Sequence, residues 1–262
     1  MAEQSFPSRI GIGIDTGGTC TDALVYEFAT GTILATGKAA TTREDLSWGI
    51  GTALDSLPSD LLHRADIIML STTLATNACV EGKGGRAKLL LIGTPQQVLT
   101  RIDAEHDYGL QPDDVLCVPC ASSFDGRIAE EPDWETLFTT SADWFAAADA
   151  LSVAELYATH NGAVRERFAK TLLTERFDVP VICGHEVADE LNMIERGTTA
   201  LLNARLLPLV SGFMNAVEEA LAARGVRAPV MIVRSDGSLM SEELGRIRPV
   251  ETILSGPAAS AL

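Results

Sequence analysis

The chain has 262 residues, of which 46% are hydrophobic and 21% are charged. This composition is ordinary for a soluble globular protein and excludes a disordered chain, a collagen-like repeat and a coiled coil. The 20 Lys and Arg residues against 36 Asp and Glu residues give a formal net charge of −16. Because such a surface repels phosphate backbones and anionic lipids, nucleic acid and membrane surfaces are not expected as partners. A nucleotide remains compatible, since backbone N–H groups and a metal ion can form a phosphate site locally.

The cysteine content and the N-terminus indicate a cytoplasmic location. The chain has five cysteines, an odd number, and its first residues show no secretory signal, so we expect reduced thiols. No continuous apolar run approaches the roughly 18 residues that a membrane-spanning helix needs. Cys117 and Cys120 have CxxC spacing, but no second pair or suitably spaced histidine pair accompanies them, so no metal or redox role is predicted.

The first 40 residues predict an antiparallel meander of three strands. Ile10, Ile12 and Ile14 alternate with Gly11 and Gly13, which indicates a strand with one bulky and one bare face. Tight turns follow, and the predicted strands span residues 10–14, 21–26 and 33–39. Short connections of this kind join antiparallel neighbours.

Beyond the meander, helices alternate with short buried strands. The predicted helices span residues 47–57, 74–80, 94–101, 134–148, 163–177 and 193–224, and the predicted strands span residues 67–70, 88–92, 151–157, 179–183 and 230–233. Residues 103–133 are predicted to be irregular, and Pro208 to kink or break the long helix. Residues 253–262 are predicted to form a strand, a turn and the start of a helix, so a continuation of the chain is expected. The pattern predicts a mixed sheet covered by helices.

The strongest chemical signal is the segment G-I-G-I-D-T-G-G-T-C-T-D at residues 11–22. It predicts a strand that delivers Asp15 to a hairpin of glycines and threonines. Gly17 and Gly18 allow backbone N–H groups to face an anion, and Thr19 and Thr21 add hydroxyl donors. Asp15 is placed to hold Mg²⁺ against the same phosphate. The alternative is a glycine-rich hairpin with an Asp-initiated turn and no ligand.

This segment resembles the first phosphate loop of the actin/hexokinase/Hsp70-like ATPases, and its G-G-T-x-T-D form is typical of the hydantoinase/oxoprolinase family. Four further stretches resemble that family in the same order along the chain. They are S-T-T-L-A-T-N-A at residues 71–78, I-E-R-G-T-T with L-N-A at residues 194–204, S-D-G-S-L at residues 235–239 and R-P-V-E-T-I-L-S-G-P-A-A at residues 248–259. The resemblance covers nearly the whole chain.

The resemblance implies a ribonuclease H-like mixed sheet with helices on both faces, as in a lobe of an actin-like ATPase. An inserted or following α/β subdomain is expected with it. The implied domains are residues 1–102 with the phosphate loop, residues 103–190 as the subdomain, and residues 191–262 as a long helix and the truncated start of a further domain.

The resemblance also implies ATP-dependent hydrolysis of a cyclic amide, in which ATP phosphorylates the amide oxygen before ring opening. The implied cofactors are ATP and Mg²⁺ or another divalent metal. The implied site residues are Asp15, Thr72, Thr73 and Asn77 as catalytic groups, Asp15 as the metal ligand, and Gly17, Gly18, Thr19, Thr21, Ser235, Gly237 and Gly256 as ATP-binding groups. Glu195 and Arg196 are expected to form either an ion pair facing the cleft or a pair on the helix surface. A second hydantoinase-type subunit, a homo-oligomer or both are the expected partners.

Two departures from the family pattern leave other functions open. Leu70 and Ser71 stand where the family usually has His-Gly, and Asp236 stands where it has Asn. The alternatives are an ATPase-bearing subunit of an acetone carboxylase-like enzyme and a non-catalytic binding or assembly protein. A second D-x-G-G-T-x-T-D does not occur before Leu262. Half of an ATP site is therefore expected, with negligible ATP turnover by this chain alone.

Overall fold

A computed structural model describes residues 9–42, 45–122 and 127–256 of the chain. The chain divides into two compact units, of which the first combines Met1–Lys83 with Leu207–Leu262 and the second is Gly84–Leu206. The second unit is therefore inserted into the first. This is one of the two arrangements predicted for the α/β subdomain, which was expected either to be inserted or to follow. The division into domains at residues 102 and 190 stays a prediction, because compact units need not coincide with domains.

The strands and helices follow one another along the chain in the predicted alternation. The strands are β1 (Ile10–Thr16), β2 (Cys20–Glu27), β3 (Thr32–Ala40), β4 (Ile67–Thr72), β5 (Ala87–Ile92), β6 (Val115–Val118), β7 (Ala121–Ser122), β8 (Ile128–Glu130), β9 (Ala150–Glu155), β10 (Val181–Cys183), β11 (Val230–Val233) and β12 (Leu239–Ser241). The α-helices are α1 (Leu46–Asp55), α2 (Ser59–His63), α3 (Leu74–Glu81), α4 (Gln96–Arg101), α5 (Ala104–Tyr108), α6 (Trp134–Thr140), α7 (Ala142–Ala146), α8 (Ala158–Asn161), α9 (Val164–Phe177), α10 (Gly184–Val187), α11 (Met193–Ala222) and α12 (Glu242–Ile247). Short 3₁₀ helices span Pro112–Asp114 and Pro249–Thr252.

The first unit contains a sheet with the strand order β12-β11-β4-β1-β2-β3. The meander β1-β2-β3 is antiparallel, whereas β4 runs parallel to both β1 and β11. This order confirms the predicted ribonuclease H-like mixed sheet. The parallel register of β1 and β4 pairs Asp15 with Ser71 and Thr16 with Thr72, so the ends of both strands meet at one edge of the sheet.

One face of this sheet carries the core of the first unit. Ile12 and Ile14 of β1 and Leu70 of β4 are buried there against α1 and the part of α11 that contains Phe213. Because side chains alternate between the two faces of a strand, Thr16 continues this core face. For the same reason Asp15 and Ser71 both lie on the opposite face, where their side chains can contact each other.

The second unit contains a parallel sheet with the strand order β10-β9-β5-β6. Phe138, Phe145 and Leu173 of three helices form the core on one face. On the other face, a Cβ added to Gly197 of α11 would lie only 3.1–3.2 Å from Leu89 and Leu91. Helices therefore cover both faces of this sheet, and glycine permits the close approach of α11.

Helix α11 continues through Pro208 without interruption, so the predicted break is absent. The division between the two units falls within this helix, after Leu206. By length and composition alone α11 is apolar enough to cross a membrane, but 56% of its most apolar window is buried. A core helix of a soluble protein has the same properties.

Three other segments differ from the prediction. The predicted strand at residue 253 is wrong, because a 3₁₀ helix ends at Thr252 and Leu254 follows shortly after with φ 64°. The predicted helix 134–148 is two helices, α6 and α7, separated at Ser141. Residues 103–133 were expected to be irregular, yet α5 and three short strands form there. The N-terminal residues 1–8 and the helix start predicted after residue 256 lie outside the described residues.

Candidate functional site

The β1–β2 hairpin holds the predicted phosphate loop in a defined conformation. The Gly17 N–H donates a hydrogen bond to the Cys20 carbonyl at 2.9 Å, and the Thr41 N–H donates to the Thr19 carbonyl at 2.9 Å. The Gly17 amide is therefore engaged within the hairpin. An anion at this loop would have to be bound by the remaining groups, such as the Gly18 amide and the exposed Thr19 side chain.

Asp15 presents an exposed carboxylate at the end of β1. The buried Ser71 hydroxyl donates a hydrogen bond to Asp15 Oδ1 at 2.6 Å. Oδ2 accepts no hydrogen bond from the part of the chain that the structure describes. A carboxylate held on one oxygen and open on the other fits a hard divalent cation such as Mg²⁺, which prefers oxygen ligands.

Ser71 is a residue of the site that the sequence reasoning treated only as a departure. Leu70, its neighbour, is completely buried in the core of the first unit, so position 70 faces away from Asp15. The signal that identifies Ser71 is the parallel register between β1 and β4, which places it directly beside Asp15.

Thr72 connects the end of β1 to the beginning of α3. Its buried hydroxyl donates to the Thr16 carbonyl at 2.9 Å and accepts a hydrogen bond from the Leu74 N–H at 3.1 Å. The Thr73 N–H donates to the same Thr16 carbonyl at 3.2 Å. Because the one hydroxyl proton of Thr72 is used in this way, its side chain positions the loop rather than a substrate.

Asn77 and Thr73 lie one helical turn apart at the beginning of α3. The Asn77 side-chain amide donates to Thr73 Oγ1 at 3.1 Å. The Asn77 side-chain carbonyl oxygen and the Thr73 hydroxyl proton form no hydrogen bond within the described residues, so both can contact a ligand.

A cavity of about 450 Å³ lies on the core face of the sheet in the first unit. The hairpin, the first turns of α3 and the segment Pro208–Phe213 of α11 form its walls. It brings together five of the predicted site residues, namely Gly17, Gly18, Thr72, Thr73 and Asn77. It also includes Thr16, which the sequence reasoning did not single out.

The other predicted site residues do not line this cavity. They are Asp15, Thr19, Thr21, Ser235, Gly237 and Gly256. Thr21 is buried, and its hydroxyl lies 3.0 Å from that of Thr41. Gly256 lies beside the loop, since an added Cβ would be 3.1 Å from Thr73 Cγ2.

The turn at Ser235 is stabilised by its own hydrogen bonds. The Ser235 hydroxyl donates to the Glu251 carbonyl at 3.0 Å. Gly237 has φ 82°, a conformation that favours glycine. The Ser238 hydroxyl and amide donate to Asp236, which lowers the pKa of that carboxyl. Asp236, which differs from the family pattern, thus stabilises its own turn by accepting these two hydrogen bonds.

In the second unit, the predicted ion pair of Glu195 and Arg196 is wrong. Arg196 is completely buried and its guanidinium donates to three backbone carbonyls, including that of Glu155 at 2.8 Å. Glu195 is exposed and accepts a hydrogen bond from Asn192. Consecutive residues of a helix point in different directions, which separates the two charges.

A cluster of Glu166, Cys183 and His185 in the second unit has ligand atoms within 4.8 Å of one another. The Nδ1 atom of His185 lies 2.6 Å from the buried Glu166 carboxylate. The Cys183 thiol donates to the Glu166 carbonyl at 3.3 Å, and burial raises the pKa of this thiol. These hydrogen bonds account for the cluster as a polar connection between α9 and β10.

The CxxC pair of the second unit consists of free thiols. Burial raises the pKa of Cys117 to about 11 and also raises the pKa of Cys120. Both thiols are therefore protonated at neutral pH and are poor nucleophiles.

The chain is similar to subunits of two ATP-using or carboxylating enzymes. It is 26% identical over 270 residues to the caprolactamase subunit alpha of Pseudomonas jessenii, which covers 95% of this chain and 38% of that protein. It is 27% identical over 285 residues to the acetophenone carboxylase gamma subunit of Aromatoleum aromaticum, with 96% and 38% covered. The chain thus spans about two-fifths of the length of these relatives.

A solved structure shows the same fold. The crystal structure of the ATP-dependent caprolactamase from Pseudomonas jessenii superposes with a TM-score of 0.75 at 25% identity, covering 95% of this chain and 39% of the other. Residues 11–177 match the family described as the hydantoinase/oxoprolinase N-terminal region, and residues 196–262 match the hydantoinase/oxoprolinase family. Together with the ribonuclease H-like sheet and its glycine hairpin, these matches show that the chain belongs to the hydantoinase/oxoprolinase family.

Proposed function

We propose that this chain is the nucleotide-binding part of an enzyme that uses ATP to hydrolyse a cyclic amide. The observation that carries the proposal is the arrangement around the β1–β2 hairpin, where Asp15, held by Ser71, borders a loop of glycines and threonines. The similarity to an ATP-dependent caprolactamase supports the substrate class. Since the chain spans about two-fifths of its relatives, the activity is assigned to the whole enzyme.

The chemistry follows from the stability of an amide. Transfer of the γ-phosphoryl group of ATP to the amide oxygen releases ADP and makes the carbonyl carbon electrophilic. Water then adds to this carbon, and cleavage of the C–N bond releases the amine and leaves an acyl phosphate. A second water molecule hydrolyses the acyl phosphate, so that the products are the open-chain amino acid and inorganic phosphate. Bound Mg²⁺ would supply neutralisation of phosphate charge. Asp15 would hold that ion, and the backbone of Gly18 and Thr19 would orient the phosphate groups.

The remaining site residues are assigned supporting roles. Thr72 positions the loop through its bonds to Thr16 and Leu74, while Thr73 and Asn77 offer a hydroxyl and an amide to the substrate. Ser235, Gly237 and Gly256 are proposed to approach the nucleotide. We also propose a cytoplasmic location, a second subunit as partner, and no contact with nucleic acid or membranes.

The test is ATP-dependent ring opening of ε-caprolactam by the full-length, assembled enzyme. Replacing Asp15 by Asn should lower the rate by about two orders of magnitude, because the metal loses a charged ligand. The matched control is Asp60→Asn, which changes an exposed carboxylate at the start of α2. A variant Asp15→Asn that retains more than a tenth of the activity contradicts the proposed role of Asp15.

A carboxylase subunit is the second candidate, favoured by the similarity to acetophenone carboxylase. In that enzyme class the same loop would serve phosphorylation of bicarbonate or of a ketone enol. Phosphate release that requires a ketone and bicarbonate, with no release in the presence of lactams, would favour this candidate. No nucleotide binding by the assembled protein would favour a non-catalytic role instead.

A further inference from the structure

We propose that the 450 Å³ cavity behind the hairpin is the binding site for the cyclic amide. In this arrangement Thr16 contacts the amide group and the apolar side chains of α3 and α11 contact the carbon ring. The inference rests on the proposed function and adds to it the place and the recognition of the substrate.

The first argument is a buried hydroxyl that lacks a partner. Thr16 lines the cavity and is only 4% exposed, and its Oγ1 has no hydrogen-bond partner among the described residues. The neighbouring hydroxyls of Thr21 and Thr72 are both engaged. Buried polar groups are rarely left unpaired in folded proteins, so the Thr16 hydroxyl is the group that a polar ligand atom would satisfy.

The second argument is the neutrality of the lining. Leu46, Leu74 and Phe213 are among the apolar residues that form most of the wall. The charged residues in the lining are Glu81 and Lys83, and these pair with each other at 2.5 Å in an exposed position. An uncharged ligand with a hydrocarbon body and one or two hydrogen-bonding atoms matches these surfaces, and a saturated lactam has this composition.

The third argument is the size of the cavity and the glycine that lines it. An apolar cavity of about 150 Å³ holds benzene, so a cavity of about 450 Å³ accommodates a seven-membered lactam. Gly212 of α11 lines this cavity, and a Cβ added there would meet no atom within 4 Å, so a larger side chain at this position would occupy open space. A glycine inside a helix is unfavourable, which fits a position kept open for a ligand.

The fourth argument is the position of the cavity relative to the hairpin. Gly17 and Gly18 belong both to the phosphate hairpin and to the wall of the cavity. An amide bound at Thr16 therefore lies next to the loop that is proposed to hold the phosphate groups. Thr73 and Asn77 lie on the same wall and can contact the second polar atom of the amide.

The experiment measures binding of ε-caprolactam to the full-length, assembled protein by ligand-detected NMR and calorimetry, with and without Mg-ATP. Gly212→Leu fills the cavity and should weaken binding at least tenfold while leaving the affinity for Mg-ATP unchanged. Gly212→Ala is the matched control, because it gives the same gain in helix propensity with little loss of volume.

The hydroxyl is tested separately by Thr16→Val, which preserves shape and removes the polar atom. We expect about a threefold to tenfold loss of lactam affinity, the range of one neutral hydrogen bond. The matched control is Thr36→Val on the exposed part of β3. Because the hydroxyl has no partner among the residues that the structure describes, Thr16→Val should fold with undiminished thermal stability.

The outcomes separate this inference from the proposed function. If Gly212→Leu and Thr16→Val bind and hydrolyse lactam like the wild type, the cavity is not the substrate site, although the proposed function stands. If the wild type binds lactam in the cavity but never hydrolyses it with ATP, the inference stands and the proposed function is wrong. Wild-type protein that binds no lactam under any of these conditions overturns the inference.

Discussion

The hydrogen bond between Ser71 and Asp15 shows how one hydroxyl restricts a carboxylate that the solvent otherwise surrounds. The donor is buried and the acceptor is exposed, so the bond fixes the orientation of Oδ1 without burying the charge. A bond to a charged acceptor is stronger than a neutral one, but solvent reduces its contribution here. Ser71 is therefore a positioning residue.

Replacing Ser71 by Ala tests this role. We expect the Mg²⁺ concentration for half-maximal activity to rise about threefold to tenfold, because the metal ligand is no longer held. The maximal rate at saturating Mg²⁺ should change less than twofold. Ser59→Ala, which removes an exposed hydroxyl at the start of α2, is the control. An unchanged Mg²⁺ requirement together with a lower maximal rate would show that Ser71 acts in another way.

At the scale of elements, a single threonine links three segments of the first unit. The Thr72 hydroxyl bonds to the end of β1 and to the start of α3, and the Thr72 carbonyl accepts a hydrogen bond from Ser255 at 3.0 Å. The segment after the 3₁₀ helix is thereby attached to the same loop. The geometry of the site depends on this connection.

The variant Thr72→Val should lower the free energy of unfolding by about 1–3 kcal/mol, since the Leu74 N–H loses its acceptor and the Thr16 carbonyl loses one of its two donors. Thr72→Ser keeps the hydroxyl and should cost less than about 1 kcal/mol for the lost methyl group. Urea denaturation of both variants measures the difference. Equal destabilisation by the two substitutions would show that packing of the methyl group, and not the hydroxyl, is what matters.

The meander and the alternating elements after it could be predicted because their residues show clear periods. Ile10, Ile12 and Ile14 alternate with glycines, and this period of two depends only on local sequence. The strands within residues 103–133 were missed because they are short. A kink or a break was predicted at Pro208, and the break is absent because packing of α11 outweighs the missing hydrogen bond.

The site was predicted only in part for a similar physical reason. The glycine hairpin is a local pattern, so Gly17 and Gly18 could be recognised. Ser71 can be assigned to the site only from the register of β1 and β4. Thr16 can be assigned only because its hydroxyl has no partner among the described residues. The separation of Glu195 from Arg196 depends on burial, which one sequence does not show.

For the whole molecule, the net charge of −16 opposes compaction by self-repulsion. Several of the ion pairs in the described residues have both partners exposed, as in the pair of Arg86 with Asp149, and such pairs contribute little to stability. Added salt weakens both the repulsion between like charges and the attraction within these pairs. We expect the weaker repulsion to have the larger effect on stability.

Raising the ionic strength from about 0.01 M to 0.15 M shortens the Debye length from about 30 to 8 Å. We expect the Tm to rise by a few degrees as the repulsion is screened. Differential scanning calorimetry with NaCl and with KCl separates screening from specific ion binding. A Tm that falls with both salts would show that the ion pairs dominate.

The insertion of the second unit into the first has a consequence for the order of synthesis. Strands β5, β6, β9 and β10 of the second unit emerge from the ribosome before β11 exists. The sheet of the first unit lacks β11, the second parallel neighbour of β4, until residue 233 has been made. Domains generally fold as units during synthesis, so the inserted unit can complete its sheet while β4 still has one unpaired edge. The early chain thus carries an open strand edge, the kind of surface that chaperones protect.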